Sequence, residues 1–265
     1  MLAEQRYQEI LELLRKNGSV RAAELKEKLN VSSETVCRDL EYLEVRGLIR
    51  RARGGALLNE AAVRTRGPTW YTPFGIRGQE QAESKREIAE FAVTFIEEGQ
   101  SIALDSGTTA FALARAIKGR FGSLTVVTNS MAIVRELTDE KGITLIVTGG
   151  VYRREEDALV SDMAGLIFSR LNIDLFFMTT CGISVGRGVT YQRMDEVPVE
   201  ERMMEASDRT IVIADSSKLG ANSLVKMCDV NRISMIITDS YAMERQTEPF
   251  VRMGIPVKKL QKNHS

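Results

Sequence analysis

Histidine and cysteine are scarce in this chain, and their scarcity argues against several classes of function. The one histidine among 265 residues, His264, lies in the polar segment KNHS. A single histidine removes nearly every zinc arrangement and every catalytic triad that uses histidine as general base. Cys37, Cys181 and Cys228 are far apart and form no CxxC pair, a pattern that favours a reducing compartment over a disulfide framework. We therefore expect no metal, no cofactor and no hydrolase activity.

Net charge and long apolar runs are also absent. The 36 basic and 36 acidic side chains cancel, so binding to a polyanion must be local. No stretch approaches the roughly 20 apolar residues of a membrane span, and the first residues lack the apolar core of a signal peptide. We expect a cytoplasmic protein with no membrane partner. A hydrophobic content of 43% over this length predicts two domains.

The first part of the chain is predicted to form three short helices. Apolar residues recur at i, i+3, i+4 and i+7 from Tyr7 to Leu14, and a second amphipathic segment runs from Arg21 to Leu29. The third helix follows Ser32, a natural N-cap, and ends at Gly47. The turn between the second and third helices is short, as a helix-turn-helix requires.

A basic hairpin is predicted to follow the third helix. The segment LIRRARGGALL, residues 48–58, indicates a strand, a Gly-Gly turn and a returning strand. Three helices and a hairpin make residues 1–58 a winged helix-turn-helix DNA-binding domain. The alternative is an ordinary helical bundle with a solvated run of charges.

The third helix of such a domain enters the major groove of double-stranded DNA, and the hairpin contacts phosphates. Arg38 is suited to guanine or to a phosphate. Residues 1–60 carry 11 basic and 10 acidic side chains, so one domain binds weakly and we expect a homo-oligomer, a dimer or a tetramer. The candidate DNA-binding residues are Ser32, Ser33, Thr35, Cys37, Arg38, Arg50, Arg51 and Arg53.

Residues 59–79 are predicted to be a linker, and residues 80–265 an α/β domain. The linker contains RGPTWYTPFG, whose Trp70 is expected to dock onto a neighbouring domain rather than to bind a ligand. A helix from about Glu80 to Glu98 precedes six apolar runs separated by helical stretches. This alternation predicts a mostly parallel sheet covered on both faces. We expect this domain to bind a ligand and to form the oligomer.

The segment DSGTT directly follows the first apolar run of the α/β domain. Ser106 to Thr109 would offer backbone N–H groups and hydroxyls at a helix N-terminus, where the macrodipole favours a phosphate. The alternative is a capped turn with no ligand. Polar residues also follow other strands, and the carboxyl ends of parallel strands share one edge. The candidate effector-binding residues are Asp105, Ser106, Gly107, Thr108, Thr109, Asn129, Ser130, Gly149, Gly150, Arg153, Cys181, Glu196 and Lys218.

Motifs along nearly the whole chain resemble those of DeoR-type bacterial transcriptional regulators. VSSETVCRDLEYLEVRGLIRRARGGA is similar to their N-terminal motif, and DSGTT, VVTNS, VTGG, GIS, ADSSKLG and IITD are similar to motifs of their effector domain. The resemblance implies a sensor domain similar in fold to ribose-5-phosphate isomerase, phosphorylated sugars or polyols as effectors, and repression of a carbohydrate-metabolism operon.

Three segments depart from the pattern of that family. The chain has TTCG at 179–182 where G-A-D-G is usual, LVSD at 159–162 where L-V-G-P is usual, and EVPVEE at 196–201 where E-A-x-V-K-R is usual. Two usually basic positions are therefore acidic. We expect an effector that is anionic at one end but differs at the other end from a simple hexose or pentose phosphate.

Two other functions remain open from the sequence. A sugar-phosphate isomerase would need a carboxylate base, and Asp105, Asp157, Asp195 and Glu196 are candidates. A DNA-binding scaffold without a ligand is the second alternative, against which the retained Lys218 and phosphate loop argue. We expect a regulator with no catalytic residue.

Overall fold

The computed structural model describes residues 6–7, 9–11, 13–14, 18–45, 49–52, 54–58 and 74–260. The chain divides into two compact units, Met1–Tyr71 and Thr72–Ser265. The second unit thus begins inside the segment predicted to be a linker, and it includes a short helix there, Phe74–Arg77. None of the helices in the described ranges is long and apolar enough to cross a membrane. Trp70 and Gly47 lie outside the described residues.

The first unit contains three helical segments and a small antiparallel sheet of order β1-β3-β2. Helical backbone within residues 6–14 precedes the labelled elements. The predicted hairpin is confirmed, but a third strand, β1, was not predicted. Arg21 pairs with Gly55 across β1 and β3, so the second helix begins one residue later than expected. The elements are β1 (Ser19–Arg21), α1 (Ala22–Leu29), α2 (Ser33–Val45), β2 (Ile49–Ala52) and β3 (Gly55–Leu58).

A compact apolar core holds the first unit together. Ile10, Leu14, Leu25 and Leu40 are each 0% exposed and belong to one cluster. Gly55 lets the sheet approach closely, because a Cβ there would lie 2.1 Å from the carbonyl oxygen of Val20. The positions that carry the helical periodicity are therefore the positions that form the core.

The second unit is built on seven parallel strands in the order β15-β14-β12-β9-β4-β5-β6. The six predicted apolar runs each contribute a strand, which confirms the α/β class, and the edge strand β15 was not predicted. The strands are β4 (Ser101–Leu104), β5 (Leu124–Thr128), β6 (Ile143–Val147), β9 (Ile173–Met178), β12 (Ser207–Ile213), β14 (Met235–Thr238) and β15 (Val257–Lys259).

Helices cover the sheet, and two small antiparallel sheets lie outside it. The helix predicted over Glu80 to Glu98 is shorter, because a 3-10 turn at Val93–Phe95 ends it. The segment Asp162–Arg170 is a 3-10 helix. The remaining elements are α3 (Phe74–Arg77), α4 (Ala82–Ala92), α5 (Thr108–Ile117), α6 (Met131–Leu137), α7 (Val197–Glu205), α8 (Glu244–Arg252), and the strands β7 (Val151–Arg153), β8 (Ala158–Val160), β10 (Gly182–Ser184), β11 (Gly188–Tyr191) and β13 (Val225–Cys228).

Both faces of the parallel sheet are buried. Ala103 and Phe176 point into one apolar cluster, whereas their chain neighbours Ile102, Leu104 and Leu175 belong to the other. A strand buried on both sides is apolar at nearly every position. This is why the strands stand out in the sequence, and it leaves the carboxyl edge of the sheet as the place where polar side chains collect.

Candidate functional site

The start of α2 is capped as predicted. The backbone N–H of Thr35 donates to Oγ of Ser32 over 3.2 Å, and the two hydroxyl oxygens are 2.9 Å apart. Ser33, Cys37 and Arg38 are exposed on this helix, and Thr35 is half-buried. The N-terminal half of α2 therefore presents a polar surface of the kind that reads base edges.

Arg38 and Arg51, two of the predicted DNA contacts, have partners within this unit. The guanidinium of Arg38 forms an ion pair with Glu34, one turn earlier, over 2.6 Å, and both side chains are more than 70% exposed. The wing residue Arg51 makes two hydrogen bonds to α2. Its backbone N–H donates to Glu44 over 2.9 Å, and its guanidinium donates to the carbonyl oxygen of Cys37 over 3.4 Å. Arg51 thus ties the wing to α2.

The remaining predicted DNA contacts lie on the wing. Arg50 is exposed on β2, and Arg53 lies outside the described residues. Behind the exposed face, Asp39 of α2 is 2% exposed and accepts two hydrogen bonds from Arg6, over 2.6 and 2.9 Å. This paired contact joins the first helical segment to α2.

Asp105 organises the loop that follows β4. Asp105 is 1% exposed. Its Oδ1 accepts a hydrogen bond from the N–H of Gly107 over 2.9 Å. Its Oδ2 accepts two from Thr179, one from the backbone N–H over 2.5 Å and one from the hydroxyl over 2.8 Å. Burial raises the pKa of Asp105, and these hydrogen bonds oppose the rise. A Cβ at Gly107 would lie 2.0 Å from Oγ1 of Thr179, so only glycine fits there. The motif DSGTT is therefore fixed to the loop after β9.

The helix that begins in this motif has an open N-terminus. No side chain caps the start of α5, and the first amides of a helix have no partner within it. The hydroxyls of Ser106, Thr108 and Thr109 make no hydrogen bond among the described residues. Unpaired N–H groups, free hydroxyls and the positive end of the helix dipole are features that favour an anion.

The loops after β5 and β6 are already occupied by internal contacts. Oγ of Ser130 caps α6 by accepting the N–H of Ile133 over 3.3 Å, and Nδ2 of Asn129 donates to the carbonyl of Leu159 over 3.1 Å. Gly149 is exposed. Gly150 has a φ of +119°, a conformation that favours glycine. These residues lie at the predicted edge, but most of their polar groups shape the loops themselves.

Two lysines contribute to the same region in different ways. Lys218 follows β12, is half-buried, and its Nζ has no hydrogen-bond or ion-pair partner among the described residues. Lys85 of α4, which was not predicted, is 7% exposed and donates to the carbonyl oxygens of Arg77 and Glu80. Burial is the main cause that lowers the pKa of Lys85 to about 8; the charge of Asp215 opposes the fall, and that of Lys218 contributes to it. Of these two lysines, Lys218 is the one whose ammonium group is not engaged by the described residues.

The other predicted effector residues lie beside a group of buried charges. Arg153 forms an ion pair with Asp195. Cys181 is half-buried, and burial raises the pKa of its thiol. Glu196 is 8% exposed; burial raises its pKa to about 7, against the effect of Arg77. Cys181 is therefore a neutral thiol, whereas Glu196 is close to its titration point at neutral pH.

Four further residues of this group were not predicted. Glu156, 1% exposed, is contacted by Arg77 at 2.7 Å and by Arg193 at 3.4 Å. Burial, followed by the charge of Glu196, raises the pKa of Glu156 to about 9. Glu200, on α7, is 2% exposed. Nothing in the sequence connects Arg77, in the predicted linker, with these side chains, whereas Glu200 belongs to one of the segments that depart from the family pattern.

Both units match known families. A model described as the DeoR-like helix-turn-helix domain matches residues 6–62, and one described as the DeoR C terminal sensor domain matches residues 80–240. The chain is 33% identical over 253 residues to a putative aga operon transcriptional repressor of Escherichia coli O157:H7, covering 96% of this chain and 92% of that protein. It is 34% identical to the HTH-type transcriptional regulator GlpR of Haloferax volcanii, covering 97% and 98%.

Among solved structures, the chain is similar to ribose 5-phosphate isomerase A of Methanocaldococcus jannaschii, with 16% identity, a TM-score of 0.39, and coverage of 52% of this chain and 54% of that one. It is also similar to a probable sor operon regulator of Shigella flexneri, with 11% identity, a TM-score of 0.41, and coverage of 63% and 89%. The family models span both units, and the two relatives span nearly the whole chain. The protein is therefore a member of the DeoR family of DNA-binding transcriptional regulators.

Proposed function

We propose that this regulator represses a carbohydrate-metabolism operon and that a phosphorylated sugar or polyol, bound at the carboxyl edge of the parallel sheet, controls its affinity for the operator. The open N-terminus of α5, with the unpartnered Lys218 at the same edge, is the observation that carries the proposal. Relatives named as an aga operon repressor and as a lactose phosphotransferase system repressor support a carbohydrate operon. A regulator of this kind works where the chromosome is, in the cytoplasm.

The phosphate is proposed to bind Ser106, Gly107, Thr108 and Thr109, with Lys218 as counter-charge. A helix N-terminus and a lysine ammonium act on a phosphate through charge and hydrogen bonds together. Asp105 does not contact the ligand in this scheme, because its oxygens already accept three hydrogen bonds from the protein. Its role is to hold the loop in the binding conformation.

The operator is proposed to bind α2 and the wing. Ser33, Thr35, Cys37 and Arg38 face base edges, and Arg50 contacts phosphates. Since Arg38 is paired with Glu34 in the free protein, DNA must draw the guanidinium away from that carboxylate. We further propose that the regulator acts as a dimer or tetramer. When two weakly charged DNA-binding domains are linked, binding of one raises the effective concentration of the other at the DNA.

Catalysis is not part of the proposal. Of the four candidate bases, Asp105 is committed to the loop, Asp157 to Arg135 and Asp195 to Arg153. Glu196, with a pKa of about 7, is the one whose titration would suit a general base. An NMR assay of isomerisation with pentose phosphates tests this point: turnover that Glu196→Gln abolishes would make the protein an enzyme as well.

Fluorescence anisotropy of the full chain on DNA from upstream of its own gene tests the regulatory proposal. Salt is held constant because phosphate contacts dominate affinity for DNA. We expect one phosphorylated sugar or polyol in a panel to weaken operator binding at least tenfold. Stronger DNA binding on addition of the compound would indicate activation, a role named for the related L-fucose operon activator of Haemophilus influenzae.

Two lysine variants locate the effector in that experiment. Lys218→Met should raise the effector concentration needed for release about tenfold while leaving operator affinity unchanged. Lys226→Met is the matched control, because Lys226 is exposed and paired with Asp229 over 2.6 Å. If specific operator binding responds to no phosphorylated compound, the scaffold alternative replaces the proposal.

A further inference from the structure

Three polar side chains near the ends of β5, β6 and β8 each have a buried atom without a hydrogen-bond partner among the described residues. These atoms are Oδ1 of Asn129, Oγ1 of Thr148 and Oγ of Ser161. Asn129 and Thr148 are only 1% and 3% exposed. Buried polar atoms nearly always have partners, and an unpaired one lowers the stability of the folded state. The stability of the unit therefore does not explain these three polar groups.

Backbone hydrogen bonds hold the three residues in one place. The N–H of Thr148 donates to the carbonyl oxygen of Thr128, the residue before Asn129, over 3.1 Å. Asn129 is joined to Leu159 of β8 twice. Its carbonyl oxygen accepts the N–H of Leu159 over 2.8 Å, and its Nδ2 donates to the carbonyl oxygen of Leu159 over 3.1 Å. Since Ser161 comes two residues after Leu159, Asn129 lies between the segments that carry the other two side chains.

The register of the parallel sheet places this group beside the phosphate loop. The last residues of β4, β5 and β6 lie side by side in register. The next residue is Asp105 after β4, Asn129 after β5 and Thr148 after β6. Neighbouring strands are about 4.8 Å apart, so Thr148 follows a strand roughly 10 Å across the edge from β4. A phosphorylated sugar held at the start of α5 is long enough to extend along this edge.

Ser161 has a backbone conformation that serine rarely adopts. Its φ and ψ are +91° and 169°, a region that is occupied almost entirely by glycine. It directly precedes the 3-10 helix Asp162–Arg170, but its hydroxyl does not cap that helix, although capping is the usual role of a serine at such a position. Serine is therefore strained here, and its side chain makes no hydrogen bond to the described residues.

The three side chains are suited to neutral hydroxyl groups. The carbonyl of Leu159 is an acceptor only, so the amide of Asn129 must turn Nδ2 towards it and keep Oδ1 as a free acceptor. The hydroxyls of Thr148 and Ser161 can each donate and accept, and a hydroxyl of a sugar does the same. None of the three side chains carries a charge. Together they match neighbouring hydroxyl groups of a sugar or polyol.

We infer that Asn129, Thr148 and Ser161 bind hydroxyl groups of the effector, and that the hydroxyl of Ser161 is a determinant of which sugar or polyol is accepted. The inference rests on the proposed function, since the phosphate of the same ligand is placed at the start of α5. The sugar then extends from β4 towards β6, whereas Lys218 follows β12 on the opposite side of β4. Ser161 is half-buried and Gly149, next to Thr148, is exposed, so the group borders solvent.

A glycine variant separates strain from binding in the full chain. Calorimetry measures the affinity for inorganic phosphate, ribose 5-phosphate, glucose 6-phosphate and glucitol 6-phosphate. Ser161→Gly removes both the strain and the hydroxyl, so its melting temperature should equal or exceed that of the wild type. It should bind the preferred sugar or polyol phosphate at least about tenfold more weakly, because a hydroxyl of the ligand loses its partner. Its affinity for inorganic phosphate should stay unchanged. A merely structural role would alter the melting temperature and leave the affinities alone.

Thr148→Val is a second variant, and Thr238→Val is its matched control. Both threonines have a buried hydroxyl without a partner, and Thr238 ends β14, three strands from β4 on the side away from β5. Valine removes the unpaired hydroxyl at nearly constant volume, so neither variant should be less stable than the wild type. Only Thr148→Val should weaken binding of the preferred compound, by about fivefold or more. Equal weakening in both variants would contradict the inference.

The two kinds of probe separate failure of the inference from failure of the proposed function. If Ser161→Gly and Thr148→Val bind the preferred compound as tightly as the wild type while Lys218→Met binds it more weakly, the inference alone is overturned. Water then occupies the place beside the three side chains. The inference is also overturned if inorganic phosphate binds as tightly as all three larger compounds. If none of the four probes binds the wild type, both the inference and the phosphate loop as a sensor are wrong.

Discussion

The two candidate sites, one in each unit, hold their charged side chains in opposite ways. On α2 of the first unit, Glu34 and Arg38 are paired with each other and both face solvent. In the second unit, Glu156, Glu196 and Glu200 are at most 8% exposed. Exposed pairs rearrange at little cost in free energy, whereas buried charges are held by the surrounding protein. The difference suits a surface that exchanges its partners for DNA and a site that is organised before its ligand arrives.

Adding one methyl group to the phosphate loop should have the largest effect on stability. In Gly107→Ala the new Cβ meets Oγ1 of Thr179 at 2.0 Å, which forces apart the two loops that Asp105 joins. We expect a loss of about 3 kcal/mol and of the effector response. Chemical denaturation measures the loss. Gly186→Ala is the control, since a Cβ there meets nothing within 4 Å, and an equal loss in both variants would show that the close contact with Thr179 is not the cause.

The buried pair between Arg6 and Asp39 should matter more than the exposed pair on α2. Asp39→Asn removes the negative charge of the group that accepts two hydrogen bonds from Arg6. We expect the first unit to lose about 2–3 kcal/mol. Thermal unfolding followed by circular dichroism measures it. A change in the free energy of unfolding below about 0.5 kcal/mol would mean that this buried pair contributes no more to stability than an exposed pair does.

Stability should decline as the pH rises, because the buried acids resist ionisation. The folded-state pKa of Glu196 is raised from 4.5 to about 7, so its contribution is full below pH 4.5 and is lost between pH 4.5 and about 7. Over that range the free energy of unfolding of the wild type should fall by on the order of 2 kcal/mol more than that of Glu196→Gln. Denaturation at pH 5 and pH 8 compares the two proteins. Identical pH dependence in both proteins would mean that the pKa of Glu196 is not raised in the folded state.

The exposed pair should have the smallest effect on stability and a visible one on DNA binding. Glu34→Gln should change the free energy of unfolding by less than about 0.5 kcal/mol. It should also tighten operator binding several-fold, because Arg38 is released and a negative charge leaves the surface that meets phosphates. Anisotropy at two salt concentrations measures both effects. Weaker binding would indicate that Glu34 itself contacts a base.

The sequence predicted most of the fold because the features that encode it are local. The cap at Ser32, the apolar periodicity from Tyr7 to Leu14 and the continuous apolar strands each depend on neighbouring residues. The edge strand β15, at Val257–Lys259, was missed because its mostly basic, exposed residues carry no apolar signal. The strand β1 was missed for a similar reason: three residues become a strand only because β3 lies beside them.

The site divides in the same way between local and long-range causes. The sequence alone determined that the motif DSGTT follows β4 and that Lys218 follows β12, and strand ends in a parallel sheet meet at one edge. Only the tertiary structure decided that Ser130 caps its own helix while α5 starts uncapped, and that Arg77 reaches Glu156 from 79 positions earlier in the chain. Burial of Glu196 and Glu200 was likewise decided there. A carboxyl group's solvation and partners depend on packing between distant segments, which no local pattern of residues records.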